Sequence, residues 1–269
     1  MRLPFTKMNG AGNDFVMIDN RDLSIQLTNE QIARICDRHR GVGADGLLAV
    51  EPARGKADFR FRYYNADGGE AEMCGNGARC FGRYTARLLA DNREELSFET
   101  IAGDLTSRIV GEEVEVTMSD PFDLELDCGV SVEGLESPVH VLNTGVPHAL
   151  AFVDDLVDCD VTGIGSAIRY HDYFPKGTNA NFVKETAPGH IAIRTYERGV
   201  EGETLACGTG MVACAIVYHL LHGVPSPVKV DVRGGETLQI GFTGNAEFGF
   251  REVTLRGPAE FVFEGEITL

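Results

Sequence analysis

Apolar and polar residues alternate in short runs along most of this chain, and few stretches carry the wider spacing of a helix. Phe5 to Asp19 reads as strand, turn and strand, with Gly10-Ala11-Gly12-Asn13-Asp14 as the turn. At Thr28 the pattern changes. Thr28 is a helix-capping residue type, Gln31 follows three positions on, and Ile32 and Ile35 share one face, which predicts a helix to Arg38. Gly41 to Gly46 is a loop, Leu47 to Val50 a short buried strand, and Phe59 to Tyr63 an alternating, half-buried one. A polar loop from Asn65 to Gly77 leads into a helix ending at about Ala90. Strands follow at Leu96 to Thr100, Asp104 to Val110 and Glu113 to Met118, and the stretch from Pro121 to Asp127 crosses to a second half.

In that half, Val139 to Asn143 and Ala149 to Val153 read as strands flanking Gly145-Val146-Pro147-His148, and Ser166 to Tyr170 as helical. Asn181 to Glu185 and His190 to Glu197 are strands. Met211 to His222 is apolar around most of its circumference, which predicts a helix wrapped by sheet on all sides. Strands at Val228 to Val232, Thr237 to Phe242 and Phe248 to Arg256 precede a last segment, Phe261 to Leu269, expected to pair with the first half. Short strands with one buried helix per half predict an α+β fold; the helices are too few for alternating βαβ units.

One string occurs twice. Glu70 to Gly77 and Glu203 to Gly210 both read E-x-x-x-C-G-x-G, 133 residues apart in a chain of 269, and an apolar helical stretch follows each copy. The repeat predicts two halves, residues 1–118 with a C-terminal strand at about 262–269, and residues 119–261. Each is large enough to bury its own core.

The formal net charge of −17 argues against nucleic acid or an anionic membrane as partner. No apolar run approaches the length of a membrane span. The start Met1-Arg2-Leu3-Pro4 does not read as a signal peptide, and the seven cysteines are odd in number, so reduced thiols in the cytoplasm are expected rather than a disulfide framework. There is no C-x-x-C, no H-E-x-x-H and no paired Cys/His cluster, so no metal site is expected.

A lone buried cysteine is ordinarily a small core residue. That reading suits Cys36, Cys128 and Cys159, and also Cys80 and Cys214, which fall inside the helices. Cys74 and Cys207 differ, because each stands in a glycine-flanked turn just before a helix. Free N–H groups and the helix dipole there favour a thiolate and can hold a carboxylate. Two such thiols acting on one carbon could remove a proton on one side and return it on the other, the chemistry of a cofactor-independent racemase or epimerase. Most enzymes that ionise an amino-acid α-carbon use pyridoxal phosphate on a lysine. None of Lys7, Lys56, Lys176, Lys184 and Lys229 sits in a context that announces such an anchor.

Over essentially its full length the chain resembles the diaminopimelate epimerases. The matching strings are Lys7-Met8, Gly12-Asn13-Asp14-Phe15, Gly41-Val42-Gly43-Ala44-Asp45-Gly46, Asn65-Ala66-Asp67-Gly68, and Cys74-Gly75-Asn76-Gly77-Ala78-Arg79-Cys80. In the second half they are Pro147-His148, Asn179-Ala180-Asn181-Phe182, Tyr196-Glu197-Arg198-Gly199, and Gly202-Glu203-Thr204 leading to Ala206-Cys207-Gly208-Thr209-Gly210. The resemblance implies interconversion of LL- and meso-diaminopimelate without metal or pyridoxal phosphate, for lysine and cell-wall precursor biosynthesis. It also implies two pseudo-symmetric halves, each a β-barrel-like, mostly antiparallel sheet around a central helix, with the site in the cleft between them, and a homodimer.

Carried over by position, Cys74 and Cys207 are the acid–base pair, with Cys207 as proton acceptor and Cys74 as donor in the LL-to-meso direction. Gly75, Asn76, Gly208 and Thr209 hold the α-carboxylate. His148 and Glu197 tune the thiols and bind the reacting amine. Asn13, Asn65, Asn179 and Arg198 read the distal amine and carboxylate, and a guanidinium suits that role because it grips a carboxylate bidentately. Two positions depart from the family pattern, Val146 where many members have Asn and Gly46 where some have Gln. Other readings are a proline or hydroxyproline epimerase, a thiol oxidoreductase and a non-catalytic binding protein. Asn65, Asn179 and Arg198 suit a long, doubly zwitterionic substrate better than a small ring, and redox thiols ordinarily lie close in sequence as C-x-x-C.

Overall fold

A computed structural model describes residues 1–89 and 93–269; the helix end expected at about Ala90 lies outside the described residues. The chain divides into two compact units, Met1–Thr117 with Arg256–Leu269, and Met118–Leu255.

In the first unit β1 (Arg2–Gly10) and β2 (Asn13–Asp19) form an antiparallel hairpin. Helix α1 (Asn29–Cys36) crosses to β3 (Gly46–Pro52), which lies parallel to β2. Its start is a full capping box, in which the Thr28 side chain accepts from the Gln31 N–H and the Gln31 side chain accepts from the Thr28 N–H. Strand β4 (Phe59–Asn65) returns antiparallel to β3 and turns into the short β5 (Glu70–Ala71). Helix α2 (Gly75–Leu89) then crosses to β6 (Glu95–Thr100), parallel to β4, and β7 (Gly103–Val110) and β8 (Glu113–Thr117) follow antiparallel.

The second unit repeats this order. Strand β9 (Phe122–Glu125) pairs with β10 (His140–Asn143), which pairs antiparallel with β11 (Pro147–Phe152). Helix α3 (Val161–Arg169) crosses to β12 (Asn179–Ala187), parallel to β11, and β13 (His190–Glu197) returns antiparallel into β14 (Gly202–Thr204). Helix α4 (Gly208–His222) crosses to β15 (Val228–Asp231), parallel to β13, and β16 (Thr237–Asn245) pairs back on it. Strand β17 (Gly249–Pro258) begins in this unit and its last residues belong to the first, where β18 (Glu260–Thr268) lies antiparallel to β1.

The α+β class is as expected, and so are the two helices per unit, of which α2 and α4 are the buried ones. The differences are of detail: each helix closes a parallel strand pair beside antiparallel ones. Helix α3 also starts earlier than the expected Ser166, because Asp160 caps it by accepting from the Gly163 N–H at 2.9 Å.

The two 15-residue helices are the core of their units. In α4 every residue from Gly210 to Tyr218 is buried, as its all-round apolar pattern predicts. In α2 the Phe81 ring packs edge-on to Phe61 at 5.1 Å and against Phe98 at 5.0 Å, contacts that add to its burial.

The β1–β2 hairpin also buries a charge pair. Lys7 is only 5% exposed; its ammonium lies 2.7 Å from Asp14 and donates to the Gly43 carbonyl, while Arg38 binds Asp14 from outside at 2.7 Å. Burial alone would raise the Asp14 carboxyl, but hydrogen bonds from Arg38 and Lys7 outweigh it and hold it well below its ordinary 3.8. A carboxyl depressed in the folded state stabilises above its unfolded value and loses that contribution as pH falls. Asp14→Asn, which leaves Lys7 buried without its anion, should cost roughly 3 kcal/mol at neutral pH. Its unfolding free energy should also fall less steeply than the wild type's below about pH 4. Denaturant titrations across a pH series check both, and parallel acid slopes would contradict the ion pair's role.

Candidate active site

Each unit places its repeated cysteine at the start of its buried 15-residue helix. Cys74 precedes α2, its carbonyl accepting from Ala78 at 2.7 Å; Cys207 is the N-cap of α4, its carbonyl accepting from Met211 at 3.0 Å. Helix geometry leaves the first N–H groups of both helices for a ligand. The motif's glutamate acts locally. Glu70 pairs with Arg62, and Glu203 with Arg194 at 2.7 Å, each tying the short strand before the cysteine to the longer strand beside it.

In the first unit the Cys74 thiol donates to Asn13 Oδ1 at 3.7 Å, and Asn76 Nδ2 donates to the same oxygen at 3.4 Å. Asn13 Nδ2 donates to Asp45, which Arg38 grips at 2.8 Å. Arg79, fully buried, holds Asn76 Oδ1 at 3.0 Å and spans to the Gly75 and Pro258 carbonyls. The Asn13 amide is therefore oriented from both ends, with its oxygen toward the sulfur. Asp45 and Arg79 were not among the residues singled out by sequence. Only a charged residue beside a small motif pointed to them; Arg79 reaches Pro258 and Asp45 reaches Asn13 across long stretches of chain.

Asn65 is exposed at the end of β4, opposite Gly46 in the strand register. A Cβ at Gly46 would stand 2.6 Å from the Tyr63 ring and 2.6 Å from the Tyr64 carbonyl, which accounts for glycine there.

In the second unit the Cys207 sulfur lies 3.6 Å from Thr209 Oγ1, whose oxygen is 2.9 Å from His148 Nε2. His148 is fully buried, and burial, then the Arg198 charge, lowers its ring to about 3 from 6.5, so it is neutral at physiological pH. Burial pushes the Glu197 carboxyl up. Asn179 is buried and laces backbone: Nδ2 donates to the Pro147 carbonyl at 3.2 Å, and Oδ1 accepts from the Arg198 N–H at 2.9 Å. The Arg198 guanidinium donates through one nitrogen to the Lys176 and Gly177 carbonyls, and among the described residues no carboxylate pairs with it.

Among the described residues, no three or more His, Cys, Asp or Glu gather where they could hold a metal ion, and no helix is long and apolar enough to cross a membrane.

A family model described as diaminopimelate epimerase matches residues 5–122 and 140–262. The chain belongs to that family. It is 43% identical over 280 residues to a diaminopimelate epimerase of Hydrogenobaculum sp., covering 98% of each chain. It is 44% identical over 270 residues to one of Chlorobaculum tepidum, covering 97% of this chain and 100% of that one. Among solved structures it resembles a phenazine biosynthesis protein of the PhzF family from Bacillus anthracis, with TM-score 0.76 and 18% identity over the whole of both chains, a likeness of fold alone. Members of the diaminopimelate epimerase family are isomerases, and this chain is an enzyme of that class.

In this member the buried imidazole carries a measurable cost. Its folded value lies below its unfolded one, so its contribution to stability is present above 6.5 and is lost as pH falls toward about 3. His148→Phe should remove the part of the acid destabilisation that begins near pH 6.5, while leaving the carboxylate part below about pH 4. Thermal melts at stepped pH read this, and an unchanged profile would mean that the ring is not held neutral.

Proposed function

We propose that this protein interconverts LL-2,6-diaminopimelate and meso-diaminopimelate without a cofactor, Cys207 taking the α-proton and Cys74 returning one from the other side of the carbon. The observation that carries the reading is the duplication itself. In each unit a thiol stands at the first turn of a largely buried helix, beside free N–H groups suited to a carboxylate. Hydrogen bonds to the substrate α-carboxylate strengthen as the Cα–H bond ionises and charge moves onto its oxygens, so Gly75, Asn76, Gly208 and Thr209 favour the transition state over the ground state. Family membership supplies the substrate class.

His148 and Glu197 act on the thiols and the reacting amine. Arg198 takes the distal carboxylate with the guanidinium nitrogens that do not bind backbone, and Asn13, Asn65 and Asn179 complete recognition. Asn13 and Asn179 contribute chiefly by holding their neighbours, since their amides are already engaged. The reading includes a homodimer and a reducing, cytoplasmic setting that keeps both thiols available.

Incubating the protein alone with LL-diaminopimelate in deuterated water should place deuterium at Cα of the meso product. Cys74→Ala and Cys207→Ala should each lower turnover by at least about 100-fold, the lower bound for losing a positioned acid or base. Near-normal turnover in either variant would defeat the two-thiol reading.

Arg198→Met removes one charge-assisted hydrogen-bonding group, worth roughly 1.5–3 kcal/mol. Its kcat/KM should fall by about tenfold to a hundredfold, partly in kcat, because distal binding also positions the α-carbon. Equal values for both stereoisomers in mutant and wild type would move distal recognition elsewhere.

A further inference from the structure

The two units place chemically different residues behind equivalent thiols. Positions 133 apart correspond, as the parallel pairs show: Phe15 lies opposite Gly46 in β2–β3, and His148 opposite Asn179 in β11–β12. A Cβ on Gly77 would meet Leu48 at 3.2 Å and Phe15 at 3.4 Å. A Cβ on Gly210 would meet Asn181 Oδ1 at 2.5 Å and the His148 ring at 3.4 Å. The apolar pair Phe15 and Leu48 in one unit is thus the polar pair His148 and Asn181 in the other. Conversely, Asn13, the acceptor beside Cys74, corresponds to Val146, which has no polar side-chain atom.

The hydrogen bonds in the second unit have one consistent direction. Asn181 Nδ2 donates to the Ala149 carbonyl at 2.9 Å, which accepts only, and Asn181 Oδ1 accepts from Thr195 at 2.9 Å. The amide is therefore fixed with its nitrogen 3.2 Å from His148 Nδ1, which must accept. A neutral imidazole that accepts at Nδ1 carries its proton on Nε2. Nε2–H then donates to Thr209 Oγ1, leaving the hydroxyl proton for the Cys207 sulfur.

We propose that Asn181 is a positioning residue that sets this relay, so that the free enzyme carries its negative charge on Cys207 and its proton on Cys74. A hydroxyl donating to sulfur favours the thiolate, whereas a carbonyl oxygen accepting from sulfur favours the thiol. Asn181 works through His148 and Thr209, and Asn13 gives Cys74 the opposite bias. The relay rests on the epimerase reading, which makes Cys207 the acceptor in the LL-to-meso step, and adds the residues that hold the thiolate there. The Cys207 thiolate removes the α-proton and becomes a thiol; the Cys74 thiol protonates the carbanion and becomes the thiolate. Cys214 is pushed well above the ordinary thiol range by burial and then by Cys207, and Arg198 acts on the His148 ring. Near Cys74, Cys80 is raised to about 12 by burial, and the Asp45 carboxylate is turned to Asn13 Nδ2.

The test is iodoacetamide alkylation of the reduced, full-length protein across pH, with each cysteine followed by peptide mass spectrometry. The midpoint, not the rate, is read, which removes differences in access. Wild-type Cys207 should titrate below Cys74. Thr209→Val and Asn181→Leu should each raise the Cys207 midpoint by about one pH unit, a tenfold loss of thiolate near neutrality, and leave Cys74 unmoved; Thr209→Ser should restore it. A Cys74 midpoint below that of Cys207 in the wild type, or a Cys207 midpoint unmoved in Thr209→Val, overturns the proposal. Should Asn181→Leu not fold, long-range nitrogen–proton NMR of the wild type decides the Asn181 step. His148, assigned by its loss in His148→Phe, should carry its proton on Nε2, and a proton on Nδ1 overturns it. Epimerisation with equal thiol midpoints would leave the proposed function standing and remove the relay; unequal thiols without epimerisation would do the reverse.

Discussion

The close approach of each buried helix to the ends of its neighbouring strands constrains everything else in this molecule. At Gly210 there is no room for a methyl group, because the Asn181 amide oxygen occupies the space 2.5 Å from where it would sit. At Gly77 the clearance is wider, 3.2 Å to the Leu48 side chain. Glycine at 210 is thus a packing requirement and at 77 a close fit, and the consequence is chemical. Strand residues reach the first helical turn, where the unpaired N–H groups and the cysteine are. Further along, Gly82 lets α2 close on Ser107, whose hydroxyl would lie 2.5 Å from a Cβ there. The same economy of side chain that makes these helices poor by local propensity makes them fit their sheets.

Much of the architecture was legible because it rests on local pattern. The capping box at Thr28, the all-round apolar run of α4 and the alternation of β4 and β13 all correspond to elements of the structure. Helix α3 was legible only in its second half. Gly163 and Gly165 look like breakers, yet Asp160 caps the helix and Gly165 is demanded by Tyr196, whose Cβ would stand 2.5 Å from an added methyl. Strands β5 and β14, of two and three residues, are too short to carry a period, and tertiary pairing alone defines them.

The candidate site divided in the same way. Cys74 and Cys207 could be found from the repeat and their glycines, which are local. The residues that orient them could not, because each orientation depends on partners brought together by the sheet. Asn181 had one readable signal: with Asn179 it places a second amide on the same face of a strand whose first five residues are all buried. A buried amide is retained only where its hydrogen bonds are met, so two on one face mark a polar network. Asp45 had no comparable signal, since an aspartate in a glycine-rich loop is ordinarily there for its backbone.

Stability and candidate chemistry share residues in the first unit. Lys7, Asp14, Arg38 and Asp45 form one continuous charge network, and its far end is the amide that accepts from the Cys74 thiol. Asp45 N–H and Asp14 N–H each bind the other's carboxylate, at 3.0 and 3.2 Å, so the two loops that carry Asn13 and Gly46 are locked together. Loss of any charge in this set would loosen Asn13 as well as the hairpin. The second unit has no counterpart to this arrangement at the equivalent positions, where Pro147 and Thr178 stand for Asp14 and Asp45. There the orienting work falls to neutral groups, the imidazole, one amide and two hydroxyls. A neutral network sets the direction of hydrogen bonds without adding a charge beside the sulfur. That suits a thiol that must hold a negative charge at one stage and a proton at the next.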